Sequence, residues 1–294
     1  MRKKAMLWEK AEEGRVHCYL CAHHCRIGEG DHGFCGNRKN EGGELYTYAY
    51  GEVIASHVDP IEKKPLYHFL PGTYAYSIAT AGCNFRCPFC QNAELVLDPD
   101  SLPSVSFDQV AEYLKAKSSW IDGVVLTGGE PTIWRDLGEL AGAIKDLGFA
   151  VKLDTNGTCP EAIAGLIDRN LVDFIAMDIK APLDERYERA AGVPVDPERI
   201  RRSIETVMGL KGAHEFRTTL VPGLVGEEEV ALMAEAVQGA HRYALQRFVP
   251  DNSLDKALRR AIAYDDSFVS HLLEIAGKSV GNCVYRGRIG VGLS

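Results

Sequence analysis

Three cysteines fall within eight residues, at Cys83, Cys87 and Cys90, and this triplet constrains the chain more than any other feature of its sequence. It stands in a predicted loop that follows an apolar, β-prone run over 74–80. Three thiols so close together in the chain can bind one metal cluster, but an iron–sulfur cluster normally takes four cysteine ligands. The triplet therefore predicts a cluster in which one iron is left open to bind a substrate or a cofactor.

A zinc ion bound by three cysteines and a histidine is the alternative for this triplet. No histidine stands between Pro71 and Ala213, so the fourth zinc ligand would have to come from a distant part of the chain. We therefore favour the iron–sulfur cluster.

The pattern Cys-x3-Cys-x2-Cys, with Phe89 before its last cysteine, resembles the signature of the radical S-adenosylmethionine (radical SAM) superfamily. The resemblance implies a [4Fe-4S] cluster on Cys83, Cys87 and Cys90, with the amino and carboxylate groups of SAM chelating the fourth iron. It also implies that reduction of this cluster splits SAM into methionine and a 5′-deoxyadenosyl radical. Cofactors of this kind provide the reactive species, while the protein binds and orients them.

Length and charge narrow the class of protein. The chain has 294 residues, of which 46% are hydrophobic, enough to bury the core of an α/β domain with a smaller appendage. Its net charge of −8 argues against a sequence-independent grip on nucleic acid. The charged N-terminus and the lack of a long apolar run predict neither a signal peptide nor a membrane span. We expect a cytoplasmic enzyme. In such a protein, nine cysteines favour metal binding over disulfide bonds.

A second set of cysteines precedes the first, at Cys18, Cys21, Cys25 and Cys35. The spacing Cys-x2-Cys-x3-Cys-x9-Cys fits a small metal knuckle, and neighbouring glycines allow the tight turns that such a knuckle needs. It does not match the spacing of a bacterial ferredoxin. A second iron–sulfur cluster, a structural zinc ion and free or redox-active thiols all stay open for this set.

Strand and helix patterns alternate from residue 74 onward, which is typical of a parallel βα sheet. Six strands are predicted between residues 74 and 250, whereas a complete eight-unit barrel needs about 250 residues. The predicted fold class is therefore α/β, a partial (βα)6 TIM-like barrel over 74–250. A Cys-rich segment over 1–73 precedes it, and a helical extension with a possible hairpin over 251–294 follows it.

Polar residues stand where the predicted strands end, as they do in barrel-type folds. The resemblance implies that Gly128, Gly129 and Glu130 contact the methionine amino group of SAM. It implies that the other strand ends line the SAM ribose and carboxylate region, where an arginine suits a carboxylate; these residues are Asp154, Asn156, Asp178, Lys180 and Arg217. By resemblance to pyruvate formate-lyase activating enzymes, Asp154, Thr155 and Asp178 would surround a monovalent cation. Lys63, Lys64 and His68 are further candidates for contacting a carboxylate or the SAM pocket.

Two subfamilies share the resemblance. Residues 18–92 resemble radical SAM proteins of the AmmeMemoRadiSam system, through the Cys-rich segment, the stretch Asp-Pro-Ile-Glu-Lys-Lys-Pro at 59–65 and Cys-Gln-Asn at 90–92. Residues 83–250 resemble activating proteins of anaerobic ribonucleoside-triphosphate reductases. Both lie in the activating-enzyme-like branch, which implies hydrogen abstraction from a partner protein, a glycyl-radical enzyme, with a flavodoxin or ferredoxin as reductant.

Two other functions stay open. The same radical chemistry on a small molecule or a protein side chain would suit the AmmeMemoRadiSam resemblance. A non-enzymatic iron–sulfur electron carrier, using both cysteine sets, would leave Gly128–Glu130 and Arg217 without a role.

Overall fold

The computed structural model describes residues 3–48, 52–53, 55–60, 68–97 and 105–287. The chain divides into two compact units, one of Met1–Phe85 with Glu94–Phe174 and the other of Arg86–Ala93 with Ile175–Ser294. The first unit carries Cys83, and the second carries Cys87 and Cys90.

The Cys-rich beginning of the first unit is built from short antiparallel strands. They are β1 (Lys3–Lys4), β2 (Trp8–Lys10), β3 (Val16–Cys18), β4 (Arg26–Ile27), β5 (Arg38–Glu41) and β6 (Glu44–Thr47). They form two small sheets with the orders β2-β3-β4 and β1-β6-β5. Val16, Ile27 and Leu45 are buried together in a core too small to rest on apolar packing alone.

The rest of the first unit alternates strands with helices. Its elements are β7 (Glu52–Val53), β8 (Ala55–Pro60), β9 (Tyr74–Thr80), α1 (Ala93–Leu97), β10 (Val105–Ser106), α2 (Phe107–Ala116), β11 (Gly123–Gly128), α3 (Leu137–Asp146), β12 (Ala150–Thr155) and α4 (Pro160–Asp168). Neighbouring strands follow the order β12-β11-β9-β8, with β9, β11 and β12 parallel and β8 antiparallel to β9. Val124, Val125 and Leu126 are fully buried, because a parallel strand is covered on both faces.

Helix α2 begins with a capping box formed by Ser106 and Gln109. The Ser106 hydroxyl accepts the Gln109 N–H at 3.3 Å, and the Gln109 side chain accepts the Ser106 N–H at 3.1 Å. This reciprocal capping box satisfies two backbone groups that the first helical turn leaves without partners.

The second unit continues the alternation. Its elements are β13 (Phe174–Asp178), α5 (Arg186–Ala191), α6 (Pro197–Met208), β14 (His214–Leu220), α7 (Glu227–Ala236), β15 (Tyr243–Arg247), α8 (Asp266–Gly277) and β16 (Cys283–Arg286). The strands follow the order β16-β15-β14-β13, and every pair is parallel. The predicted α/β class with parallel strands is confirmed. At the C-terminal end, β16 extends the parallel strands by one, and residues 288–294 lie outside the described part of the chain. No helix in the described residues combines the length and apolar character needed to cross a bilayer.

A buried ion pair joins Glu215 on β14 to Arg286 on β16, with side chains 0% and 3% exposed. Replacing Arg286 with methionine is expected to lower the free energy of unfolding by about 3–5 kcal/mol, because the Glu215 charge loses its partner. Arg201→Met, in a half-exposed pair with Glu198, is the matched control and should cost at most about 1 kcal/mol. Denaturant titration of both variants measures this difference. Equal costs for the two would show that the buried pair adds nothing.

Candidate active site

Two glycines at the end of β11 lie against the backbone that leads to Cys83. The Gly129 N–H donates to Thr80 O and the Glu130 N–H donates to Gly82 O, each at 2.9 Å. Gly128 has a φ of +107°, and a Cβ placed there would lie 2.5 Å from Thr80 N. A Cβ at Gly129 would overlap the Gly82 carbonyl oxygen. These positions need glycine because the Cys83 loop passes so close to them.

Glu130 is a buried carboxylate surrounded by neutral donors. One oxygen accepts the Thr132 N–H at 3.0 Å and the hydroxyls of Thr132 and Thr155, and the other accepts the Asn156 N–H at 2.7 Å. Burial raises the pKa of Glu130, and the hydrogen bonds from these donors oppose that rise. Among the described residues it has no cationic partner, although it is only 1% exposed. The site therefore holds a carboxylate whose charge no cation of the described residues balances.

Hydrogen-bond donors converge on Cys83 and its neighbour. The Phe85 N–H donates to the Cys83 sulfur at 3.4 Å, and Asn156 Nδ2 lies 4.0 Å from the same sulfur. Asn156 Nδ2 also donates to Asn84 Oδ1 at 2.9 Å, while Asn84 Nδ2 donates to Thr158 at 2.7 Å. Donors aimed at a sulfur favour its thiolate form, the form that binds metals. The amide of Asn84, which sequence reasoning missed, ties this loop to the end of β12.

Asp154 is already paired with a lysine. Its carboxylate accepts from Lys152 Nζ at 2.7 Å and from the Thr127 hydroxyl at 3.2 Å, and the Lys152 side chain is 0% exposed. Lys152 supplies positive charge beside one of the carboxylates that were expected to hold a monovalent cation. Sequence reasoning missed this lysine, although residues two apart on a strand share one face, which was a usable signal.

The second unit places Asp178, Lys180 and Arg217 in one charged group. Arg217 Nε lies 2.7 Å from one oxygen of Asp178, and Lys180 Nζ lies 3.0 Å from the other. Burial would raise the pKa of Asp178, but the charges of Arg217 and Lys180 outweigh it and hold that pKa below its ordinary value. The group carries two cations and one carboxylate, so it has one positive charge in excess and suits an anionic ligand.

Cys87 and Cys90 lie in a loop held by backbone hydrogen bonds. The Arg86 N–H donates to Ala191 O, and the Asp255 N–H donates to Pro88 O, each at 2.8 Å. Burial raises the pKa of Cys87 to about 12, and the positive charge of Lys180 opposes that rise.

Burial likewise raises the pKa of Cys90, opposed by the Asn92 N–H and by the charges of Lys180 and Arg86. A buried thiol and a half-buried thiol, with cations and an N–H donor beside them, are a suitable donor set for an anionic iron–sulfur cluster.

Most of the predicted site residues thus fall into two local groups. In the first unit the strand ends bring Gly128, Gly129, Glu130 and Asn156 to the loop of Cys83. In the second unit Lys180 links Asp178 and Arg217 to the loop of Cys87 and Cys90. Lys63 and Lys64 lie outside the described residues. Within the described ranges, no three His, Cys, Asp or Glu side chains converge on the position of a single metal ion.

Comparison with known proteins identifies the family. Residues 77–236 match the family model of the radical SAM superfamily. A protein of Methanocaldococcus jannaschii, provisionally named as a glycyl-radical enzyme activating enzyme, is 34% identical over 212 residues, which span 70% of this chain and 85% of that protein. An uncharacterised protein of the same organism is 34% identical over 199 residues, spanning 66% of this chain and 58% of that one.

A solved structure shares the fold. Streptococcus suis SuiB, bound to its precursor peptide SuiA, superimposes with a TM-score of 0.53 at 17% identity, covering 70% of this chain and 46% of SuiB. This likeness confirms the partial-barrel α/β architecture that the sequence predicts.

Proposed function

This chain belongs to the radical SAM superfamily, and from that membership we propose that it abstracts a hydrogen atom from a backbone glycine of a partner protein, as an activating enzyme does. Enzymes of this superfamily use a [4Fe-4S] cluster and SAM, so this protein is an enzyme with those two cofactors.

Cys83, Cys87 and Cys90 are the proposed cluster ligands. Their spacing in the chain carries this assignment, and their surroundings support it, because each of Cys83 and Cys90 receives an N–H donor and Cys87 lies near the charge of Lys180. When bound and reduced, the cluster supplies the electron that splits SAM. The protein's part is to keep the thiolates in place and to orient SAM.

The observation that carries the SAM assignment is the charge of Glu130. A carboxylate that is 1% exposed, with four neutral donors and no cation among the described residues, is costly unless a ligand cation approaches it. The methionine amino group of SAM is such a cation. We propose that the turn of Gly128, Gly129 and Glu130 binds this amino group. The backbone N–H of Asn156 would hold the turn in place through its hydrogen bond to Glu130.

The charged group of the second unit suits a carboxylate such as that of SAM. Its excess positive charge would attract the carboxylate of SAM, and the Arg217 guanidinium can also bind ribose hydroxyls. Asp178 would then orient both cations through its 2.7 and 3.0 Å contacts. Asp154, paired with Lys152, is proposed to stiffen the end of β12.

A backbone glycine is the proposed target because a relative that spans 70% of this chain is provisionally named as a glycyl-radical enzyme activating enzyme. The reductant is proposed to be a flavodoxin or ferredoxin. The target is tested with an anaerobic ribonucleotide reductase labelled with dideuterated glycine. We expect deuterium to appear in 5′-deoxyadenosine and a glycyl-radical signal to appear in the partner. Formation of unlabelled 5′-deoxyadenosine without a partner radical would contradict a glycine target in this partner while leaving SAM cleavage intact. The variant Cys83→Ala serves as the blank.

A further inference from the structure

The four N-terminal cysteines are gathered by the small antiparallel strands. Cys18 ends β3, and its N–H donates to Cys25 O at 2.9 Å, just before β4. Cys21 lies in the turn between them, where the His24 N–H donates to Cys21 O at 3.2 Å. Cys35 follows in the turn that leads to β5. The end of β3, the connection to β4 and the turn before β5 therefore place the four cysteines in one part of the first unit.

The four sulfurs are close enough to influence one another. After burial, which raises it most, the pKa of Cys21 is raised further by Cys35 and Cys25. The pKa of Cys35 is likewise raised by burial and then by Cys18 and Cys25. Each thiol thus lies within electrostatic reach of at least two others.

N–H groups also influence these sulfurs. Burial raises the pKa of Cys21, Cys25 and Cys35 most, and the backbone N–H groups of His23, Phe34 and Asn37, respectively, oppose that rise. The fourth sulfur, Cys18, accepts from Arg38 Nη1 at 3.3 Å. Such donors stabilise sulfur in its anionic, metal-binding form and orient it, as outer partners of a metal site do.

Arg38 places a buried positive charge beside these cysteines. It is 3% exposed, and its guanidinium donates to Met6 O at 2.8 Å and to Cys18. In the described part of the chain no carboxylate pairs with it. A buried guanidinium without a counter-charge is costly, so its surroundings call for an anion. Four thiolates on a zinc ion, or on a four-iron cluster, carry net negative charge at this place.

We propose that Cys18, Cys21, Cys25 and Cys35 bind one thiophilic metal centre, a zinc ion or an iron–sulfur cluster, through four thiolates, with Arg38 as the counter-cation. No three of these side chains lie close enough together to ligate a single metal ion, so metal binding would rotate the thiols towards one another. The centre adjoins the radical SAM loop. Asn37 Nδ2 donates to Ala81 O, His23 Nε2 lies 2.8 Å from Asn84 O, and Cys35 O lies so close to Gly82 that a Cβ there would overlap it. The metal centre therefore also holds in place the loop that carries Cys83.

Metal analysis of a variant without the radical SAM ligands tests the centre. Cys83→Ala/Cys87→Ala/Cys90→Ala, produced anaerobically with iron and zinc supplied, should retain about one zinc or about four irons per chain. X-ray absorption should show a sulfur shell around that metal and tell the two metals apart. Adding Cys18→Ser and Cys21→Ser should remove the metal, whereas adding Cys283→Ser should not. A metal-free triple variant would overturn the proposal, even if the wild-type protein cleaves SAM.

A charge variant tests the role of Arg38 in a protein that keeps all its cysteines. Arg38→Met should lose the N-terminal metal to a chelator about tenfold faster than Arg26→Met, which removes an exposed arginine from β4. Hydrogen exchange over residues 81–85 should rise in step with metal loss. Equal rates of metal loss for the two variants would contradict the role of Arg38 as counter-cation. Unchanged hydrogen exchange would contradict the proposal that the metal centre holds the Cys83 loop.

Discussion

Replacing Gly129 with alanine is expected to abolish both retention of the site cluster and SAM cleavage. The added Cβ would overlap Gly82 O, a backbone atom that cannot rotate away. Gly82 must then move, which breaks the 2.9 Å hydrogen bond from the Glu130 N–H and displaces Cys83 beside it. Overpacking of this kind costs about 1–3 kcal/mol or more, and a backbone clash belongs at the upper end of that range.

Gly165→Ala in helix α4 is the matched control, because nothing lies within 4 Å of a Cβ there. That change should leave activity intact and stabilise the helix by about 0.5–1 kcal/mol. Iron content, thermal unfolding and 5′-deoxyadenosine formation are measured for both variants. If Gly129→Ala retained wild-type iron and activity, the close packing of these two loops would be wrong.

Glu130→Gln, although nearly identical in shape, is expected to be severe. The Thr132 N–H points at one carboxylate oxygen and the Asn156 N–H points at the other. Whichever oxygen becomes the amide nitrogen of glutamine therefore faces a backbone donor that cannot turn away. We expect a loss of about 2–4 kcal/mol in the free energy of unfolding, since a buried donor is left without an acceptor.

The same variant also tests the assignment of Glu130 to the amino group of SAM. Removing the negative charge should weaken SAM binding at least about tenfold, measured by titrating SAM against the folded variant. Glu139→Gln, at an exposed position on α3, should change stability by no more than about 0.5 kcal/mol. If Glu130→Gln behaved like Glu139→Gln in both measurements, the buried carboxylate would have no role.

The sequence predicts the strand–helix alternation and the site at the strand ends for physical reasons. Buried parallel strands read as short apolar runs, as at Val124–Leu126, and the carboxyl ends of parallel strands meet at one edge of a sheet. Polar residues after such runs, among them Glu130 and Asn156, could therefore be expected together. The capping box at Ser106 is equally local and equally predictable.

What the sequence could not predict depends on distant partners. Position 129 requires glycine because Gly82, which is distant along the chain, lies against it. From the sequence alone, only a contact with SAM could be expected for this glycine. Strands of two to four residues in the Cys-rich segment are too short for a repeating pattern of burial to appear. Arg38 and Cys18 stand on strands of two different small sheets, β5 and β3, so the contact between their side chains could only be seen in the fold.

The most direct test of the account is SAM cleavage by the isolated protein. The chain is reconstituted anaerobically with iron and sulfide, reduced with dithionite and incubated with SAM. We expect 5′-deoxyadenosine and methionine in equal amounts from the wild-type protein and none from Cys83→Ala/Cys87→Ala/Cys90→Ala. A wild-type protein carrying a reduced [4Fe-4S] cluster that forms no more 5′-deoxyadenosine than this variant would contradict the account.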